Sequence, residues 1–243
     1  SFLESTDREM VKQMLALNEY IDVLIPRGGE KLQRMCQRES SIPVIIGGFG
    51  ISHIFVDKTA NLEKSVDIVI NAKTQKPSAC NSLDTLLLHK DIANDFIKLL
   101  LPKLARKKVA IVAHGGVVSM CKDYDNLETG SESDFDTEFL SLKMNISIVD
   151  DVYEAIAHLR RHKASHSDAI LTDSRENSKL FTQAAGSACV YVNASTRFSD
   201  GGQFGLGAEV AISTQKLHAR GPMALEALTT YQYVCEGDYL CRS

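Results

Sequence analysis

Tryptophan is absent from the 243 residues, and no two of the six cysteines form a Cys-x-x-Cys pair. Cys36, Cys80, Cys121 and Cys189 are widely spaced, and only Cys235 and Cys241 lie close together. Such spacing argues against a disulfide framework and for reduced thiols in a cytoplasm. Long apolar runs are missing too. Stretches such as 85–88 and 97–101 are a fraction of the ~18 residues a spanning helix needs, so no membrane partner is expected. Basic charge is not in excess: lysine plus arginine number 27 against 31 acidic residues, a net charge of −4. Bulk charge therefore indicates no nucleic-acid surface. The first residues carry neither the basic nor the apolar region of a secretory signal. They also lack an initiator Met, so a processed or truncated piece is expected.

The composition that remains is that of a globular chain, with 44% apolar and 24% charged residues. The length suits one large domain or two ordinary ones, with a core that needs no disulfide or metal. Thr6-Asp7-Arg8-Glu9 reads as a capping box opening a first helix. A buried strand over 21–25, the turn Arg27-Gly28-Gly29, a helix over 30–38 and a strand over 42–46 make a short βαβ unit, which favours a parallel sheet. The glycine run 47–50 follows. A strand over 53–57 leads to a helix capped by Asn61 and ending near Gln75, before Pro77. Strands are then expected near 83–88, 109–113, 145–149, 168–172 and 189–193, with helices near 91–104, 151–162 and 175–185. The acidic stretch 121–136 reads as a surface loop. The segment 195–207 is long and glycine-rich, 222–227 suggests a short helix, and 228–235 alternates weakly like a terminal strand.

Several residue groups bear on chemistry. Cys80 lies among small neighbours between a helix end and an apolar strand, with Lys73 and Lys76 close enough in sequence to favour its thiolate. On residues alone, an ordinary half-buried thiol of the kind expected at Cys36 and Cys189 stands beside that reading. Arg27-Gly28-Gly29 follows a strand and opens a helix, where backbone N–H groups hold phosphate in many folds and merely turn the chain in others. His158, His162 and His166 recur every four residues, but Arg160 and Arg161 would repel a cation, so a solvated helix face is expected and no metal site. The loop 193–207 offers Arg197, hydroxyls and free backbone N–H groups suited to a small carboxylate or phosphate. Its alternative is a surface Ω-loop pinned by Phe198 and Phe204.

Taken together, Lys73-Thr-Gln-Lys-Pro-Ser-Ala-Cys80-Asn-Ser-Leu-Asp-Thr-Leu-Leu-Leu88 resembles the nucleophile segment of the γ-glutamyl phosphate reductase (glutamate-5-semialdehyde dehydrogenase) family. Residues 193–207, His218-Ala-Arg-Gly-Pro222 and Glu226-Ala-Leu-Thr-Thr-Tyr231 resemble its C-terminal blocks, and Tyr20-Ile-Asp-Val-Leu-Ile-Pro-Arg-Gly-Gly29 a segment of its cofactor domain. The resemblance runs end to end but covers only the C-terminal part of the family, a little over half. It implies an α/β, aldehyde-dehydrogenase-like fold with parallel-type sheets flanked by helices. Three parts follow: 1–48 as the last portion of a dinucleotide-binding domain, 49–227 as the thiol-bearing catalytic domain, and 228–243 as an oligomerisation strand.

The implied reaction is the NADPH-dependent reduction of L-glutamyl 5-phosphate to L-glutamate 5-semialdehyde in proline biosynthesis. Cys80 would attack the acyl phosphate and expel phosphate, and the resulting thioester would be reduced. Glu138, in Thr137-Glu-Phe-Leu-Ser141, falls where the superfamily places a carboxylate on the nicotinamide ribose. Gly28 and Gly29 fall near the cofactor phosphates, and Arg197, Gly201 and Gly202 in the loop that anchors the substrate's amino-acid end. A homo-oligomer and a contact with glutamate 5-kinase are further implications. Hydrolytic members carry a Glu just before a Gly-Gly pair; here Val44-Ile45-Ile46-Gly47-Gly48 has no carboxylate, which favours acyl-phosphate chemistry. A hydrolytic semialdehyde dehydrogenase and a folded but catalytically incomplete fragment remain the alternatives.

Overall fold

The computed structural model describes residues 2–47, 50–162 and 164–243. Its elements in chain order are α1 (Arg8–Met14), α2 (Glu30–Glu39), β1 (Ser52–Val56), α3 (Leu62–Thr74), β2 (Leu83–His89), α4 (Ala93–Arg106), β3 (Ala110–Ala113), α5 (Val117–Met120) and β4 (Leu127–Thr129). There follow β5 (Lys143–Val149), α6 (Val152–Arg161), β6 (Ser167–Leu171), α7 (Arg175–Ala184), β7 (Cys189–Val192), β8 (Ala211–Ser213) and β9 (Gly221–Met223). Seven strands form one sheet in the order β4-β3-β5-β2-β1-β6-β7, and every pairing in it is parallel.

The sheet carries helices on both faces, so its central strands are buried on both sides and read as continuous apolar runs. Alternation along the strands sorts their side chains into two cores. Ile54, Val56, Leu86 and Leu88 pack with Val66 and Val69 of α3 and Phe96, Ile97 and Leu100 of α4. Phe55, Leu87 and Ile170 face the opposite way, toward Val152, Ile156 and Leu159 of α6 and Phe181 of α7. Side-chain caps start the helices where expected: Asn61 accepts from Lys64 N–H, Asp151 from Tyr153 and Glu154 N–H, and Ser174 from Asn177 N–H. No helix among the described residues is long and apolar enough to cross a membrane.

Several expectations need correction. Asp7, not Thr6, caps α1, because its carboxylate accepts from Glu9 N–H. The segments 21–25 and 42–46 are not buried strands; they meet only in a single parallel bridge, Leu24 with Val44, and Val23 is exposed. The stretch 121–136 is more than a surface loop. It adds β4 to the sheet edge and a 3-10 turn, Glu132–Asp136, that buries Phe135. Over 222–227 the chain forms the end of β9, antiparallel to β8, and only enters a 3-10 turn at Glu226–Leu228. Residues 229–243 form no strand, since no neighbouring strand in this chain offers them a ladder, and Tyr231, Tyr233 and Val234 are exposed. The expected boundary at 48–49 and part of the glycine run 47–50 lie outside the described residues.

Candidate active site

Cys80 sits in the turn between α3 and β2, at the amino ends of the parallel strands. The chain after β7 returns along the sheet to hold this turn. Asn81 Nδ2 donates to the Ser199 carbonyl at 2.8 Å, and Thr196 Oγ1 donates to the Asn81 carbonyl at 2.7 Å. Both Asn81 and Thr196 are buried, so the bonds fix the turn rather than decorate it. Cys80 itself is half-buried and opens on a cavity of about 350 Å³ that Arg27, Gly28, Gln33, Gly47 and Glu209 also line. Burial pushes its thiol up to about 11; the charges of Glu138 and Glu209 act the same way, and Arg197 opposes them.

The thiolate is therefore not favoured by lysines. Lys73 is fully buried and points into the core, its Nζ donating to the Leu83 carbonyl at 2.7 Å and lying 3.9 Å from Asp84 Oδ1. Burial lowers that ammonium to about 8, against the attraction of Asp84. Lys76 is exposed. The cation whose charge reaches Cys80 is Arg197, on the far side of the sequence.

Gly29 caps α2 without a side chain, and its carbonyl accepts from the Leu32 and Gln33 N–H groups. Gly28 lies on the Cys80 cavity. Glu138 lines an adjoining cavity of about 570 Å³ with Ile46, Asp136, His162 and Thr214. Burial, then the charge of Asp84, raises its carboxyl to about 7. Gln33 lies on the wall of both cavities. It is buried, its Nε2 donates to the Gly28 carbonyl at 3.1 Å, and its Oε1 has no hydrogen-bond partner among the described residues. Gln33 belongs to no motif; its one signal in the sequence is a glutamine on the buried side of a short amphipathic helix.

Arg197 Nε donates to Gln75 Oε1 at 2.7 Å beside a smaller cavity of about 250 Å³, with Asn71, Asp200 and Gln203. The glycines after it are not free donors. Gly201 N–H donates to Glu209 Oε2 at 2.8 Å, and Gly202 N–H to Asp200 Oδ1 at 2.9 Å. A side chain at Gly201 would run into the Ala208 carbonyl, so the loop doubles back only because that position is glycine. Arg27 Nη1 donates to the Val210 carbonyl at 2.9 Å and ties the returning strand to the Gly28 turn. Phe198 and Phe204 are exposed and do not pin the loop. Its product is the placement of Glu209 on the Cys80 cavity, which no local motif announced.

The three histidines are buried, contrary to a solvated face. His158 packs against His53, Phe135 and His162, and burial lowers it to about 3. His166 bonds Ser167 Oγ and is lowered by burial to about 4. Among the described residues no group of three or more His, Cys, Asp or Glu is placed to hold a metal.

No family model matches the chain. A curated relative, the γ-glutamyl phosphate reductase of Vibrio vulnificus (strain YJ016), is 58% identical over 242 residues, which is 100% of this chain and 58% of that protein. The crystal structure of γ-glutamyl phosphate reductase from Thermotoga maritima superposes with a TM-score of 0.93 at 43% identity, over 100% of this chain and 58% of the other. The chain is a homologue of the γ-glutamyl phosphate reductases. It spans about 58% of the length of the curated relatives it matches. An acetylating aldehyde dehydrogenase from Geobacillus thermoglucosidasius shares the fold alone, with a TM-score of 0.64 at 17% identity over 86% of this chain and 54% of the other. The fold is thus aldehyde-dehydrogenase-like.

Proposed function

We propose that this chain is the thiol-bearing part of an oxidoreductase that converts L-glutamyl 5-phosphate to L-glutamate 5-semialdehyde and phosphate at Cys80, in the cytoplasm, as a step of proline biosynthesis. The observation that carries the reading is Cys80 itself: a half-buried thiol in a turn braced by Asn81 and Thr196, open to a cavity shared with Arg27, Gly28 and Glu209. The thiolate attacks the acyl carbon, the carbon–oxygen bond to phosphate breaks, and a thioester remains on Cys80. Arg197 supplies positive field at the sulfur. The apolar run Val44-Ile45-Ile46 puts no carboxylate at the position where hydrolytic members carry their water-activating Glu, which favours reduction of the thioester over its hydrolysis.

The buried, unpaired Gln33 Oε1 between the two cavities fits a ligand that brings hydrogen-bond donors there, as a nicotinamide dinucleotide would. Gly28, Gly29, Gln33 and Glu138 would hold it; when bound, NADPH supplies the hydride that reduces the thioester. Arg197, with Gly201 and Gly202 shaping its loop, takes the amino-acid end of the substrate. Residues up to 48 belong with the cofactor side, 49–227 with catalysis and 228–243 with subunit contact.

Phosphate-dependent reduction of NADP⁺ by glutamate 5-semialdehyde, run with this polypeptide, tests the reading. Reduction that requires phosphate supports it, and phosphate-independent formation of the free acid supports hydrolysis instead. Few retained contacts at ~1–2 kcal/mol each do little against the cost of immobilising a dinucleotide. Calorimetry is therefore expected to give NADPH affinity weaker than micromolar. Absence of both binding and turnover marks a folded but incomplete fragment.

The exposed segment 229–243 is assigned to a second copy of the chain, whose sheet edge would supply the missing ladder and cover Tyr231 and Tyr233. Deleting 228–243 is expected to lower the mass measured by light scattering. An unchanged oligomer would remove this segment as the required contact.

A further inference from the structure

We propose that Glu209 is the proton carrier of the acyl-transfer step, taking the proton of the Cys80 thiol and delivering it to the departing phosphate. The inference rests on the reading of Cys80 as nucleophile and adds the group that reading leaves out. A thiol held near 11 carries almost no thiolate at neutral pH, so a base has to accept its proton as the sulfur attacks. The position just before Gly47 offers only Val44, Ile45 and Ile46.

Glu209 is the carboxylate that lines the Cys80 cavity itself; Glu138 lines the adjoining one. Its Oε2 is anchored by Gly201 N–H at 2.8 Å, and no hydrogen bond from the described residues falls on its Oε1. Arg27, which shares the cavity, reaches across to the Val210 carbonyl next to it. The doubled-back glycine loop brings this one carboxylate onto the cavity that Cys80 lines. Glu209 is exposed at the cavity rim, yet partial desolvation, then the charge of Asp200, raises it above an ordinary glutamate, against the Gly201 N–H, Arg27 and Arg197. That direction strengthens it as a base.

The step balances without a further reactant. The S–H proton passes to the Glu209 carboxylate, the sulfur–carbon bond forms, and the carbon–oxygen bond to phosphate breaks. Phosphate departs with the electron pair and takes the proton back from Glu209, leaving as the monohydrogen dianion rather than the trianion. Nothing is oxidised or reduced, so the half-reaction needs no cofactor and can be measured on this chain.

Acetyl phosphate is the probe. Acetylation of the Cys80 peptide, followed by mass spectrometry, and stoichiometric phosphate release are measured across pH. The parent rate is expected to rise as Glu209 loses its proton. Glu209→Gln keeps an acceptor for Gly201 N–H, and it is expected to lose that limb, to run about 100-fold slower at pH 7 and to converge on the parent at alkaline pH. Glu209→Asp should recover part of the rate. A purely electrostatic role predicts the opposite sign, because removing a nearby negative charge eases ionisation of the thiol. Glu209→Gln acetylating at pH 7 as fast as the parent, or faster, therefore overturns the proposal while leaving Cys80 in place. A parent chain that takes no acetyl group on Cys80, or a Cys80→Ser variant that releases phosphate at the parent rate, overturns both.

Discussion

Cys80→Ser is expected to fold as the parent does and to lose acyl transfer by at least ~10⁴-fold, as enzymes do when the nucleophile itself is removed. The change deletes one sulfur from a half-buried turn that Asn81 and Thr196 hold from either side, so the local structure has no reason to move. The hydroxyl left behind offers far less anion than the thiol and is a weaker nucleophile at any given ionisation. The contrast with the other thiols makes the result specific. Cys36, Cys121 and Cys189 are buried, and Cys121 lies inside the main core, with its thiol pushed up to about 11 by burial alone. Serine at Cys121 places an unpaired hydroxyl in that core at a cost of roughly 1–3 kcal/mol, yet should leave acyl transfer nearly intact. Circular dichroism and urea unfolding separate the two kinds of loss. Retention of most of the acyl transfer by Cys80→Ser would end the thioester mechanism.

Much of the sheet was legible from the sequence because parallel strands covered on both faces must be apolar throughout, as in Leu86-Leu87-Leu88, where alternate residues serve opposite cores. Capping chemistry was legible at Asn61; at α1 the cap shifts from Thr6 to Asp7, and Asp151 and Ser174 cap helices for which the sequence suggested only their extent. What local reading could not supply was partnership at a distance. Strand-like residues over 21–25 and 228–235 have the right types but no ladder in this chain, and edge hydrogen bonds are not a property of a segment alone. Lys73 reads as a cation able to favour the Cys80 thiolate until β2 places Asp84 beside it. Glu209 has no motif: only the fold of the glycine loop brings it to Cys80. The histidines at four-residue spacing suggested a surface face because their spacing is visible, whereas the burial of His158 and His162 against Phe135 is not.

Lys73→Met is expected to cost about 3–5 kcal/mol at pH 7.5, the usual range for breaking a buried ion pair by removing one partner. Lys73 and Asp84 are both almost wholly buried and lie 3.9 Å apart. Asp84 also accepts from Phe139 N–H at 3.1 Å and from Ser52 N–H at 3.4 Å, so it pins the strand of chain that carries Glu138. In the parent, burial raises Asp84 to about 6 even with Lys73 and the backbone donors opposing it. Without Lys73 that carboxyl shifts further upward. A carboxyl raised in the folded state binds more protons there than in the unfolded chain, so its contribution to stability grows as pH falls below the folded value and shrinks as pH rises. The deficit of Lys73→Met should therefore be largest near pH 7.5 and clearly smaller near pH 5, where Asp84 is neutral. Asp84→Asn removes the charge and keeps an oxygen acceptor for one of the two backbone donors, which fall on different carboxylate oxygens. The double variant Lys73→Met/Asp84→Asn should accordingly be less destabilised than the sum of the single changes. Urea unfolding at the two pH values measures each quantity. A loss under ~1 kcal/mol, or one independent of pH, would mean that the pair contributes no more than the apolar packing around it.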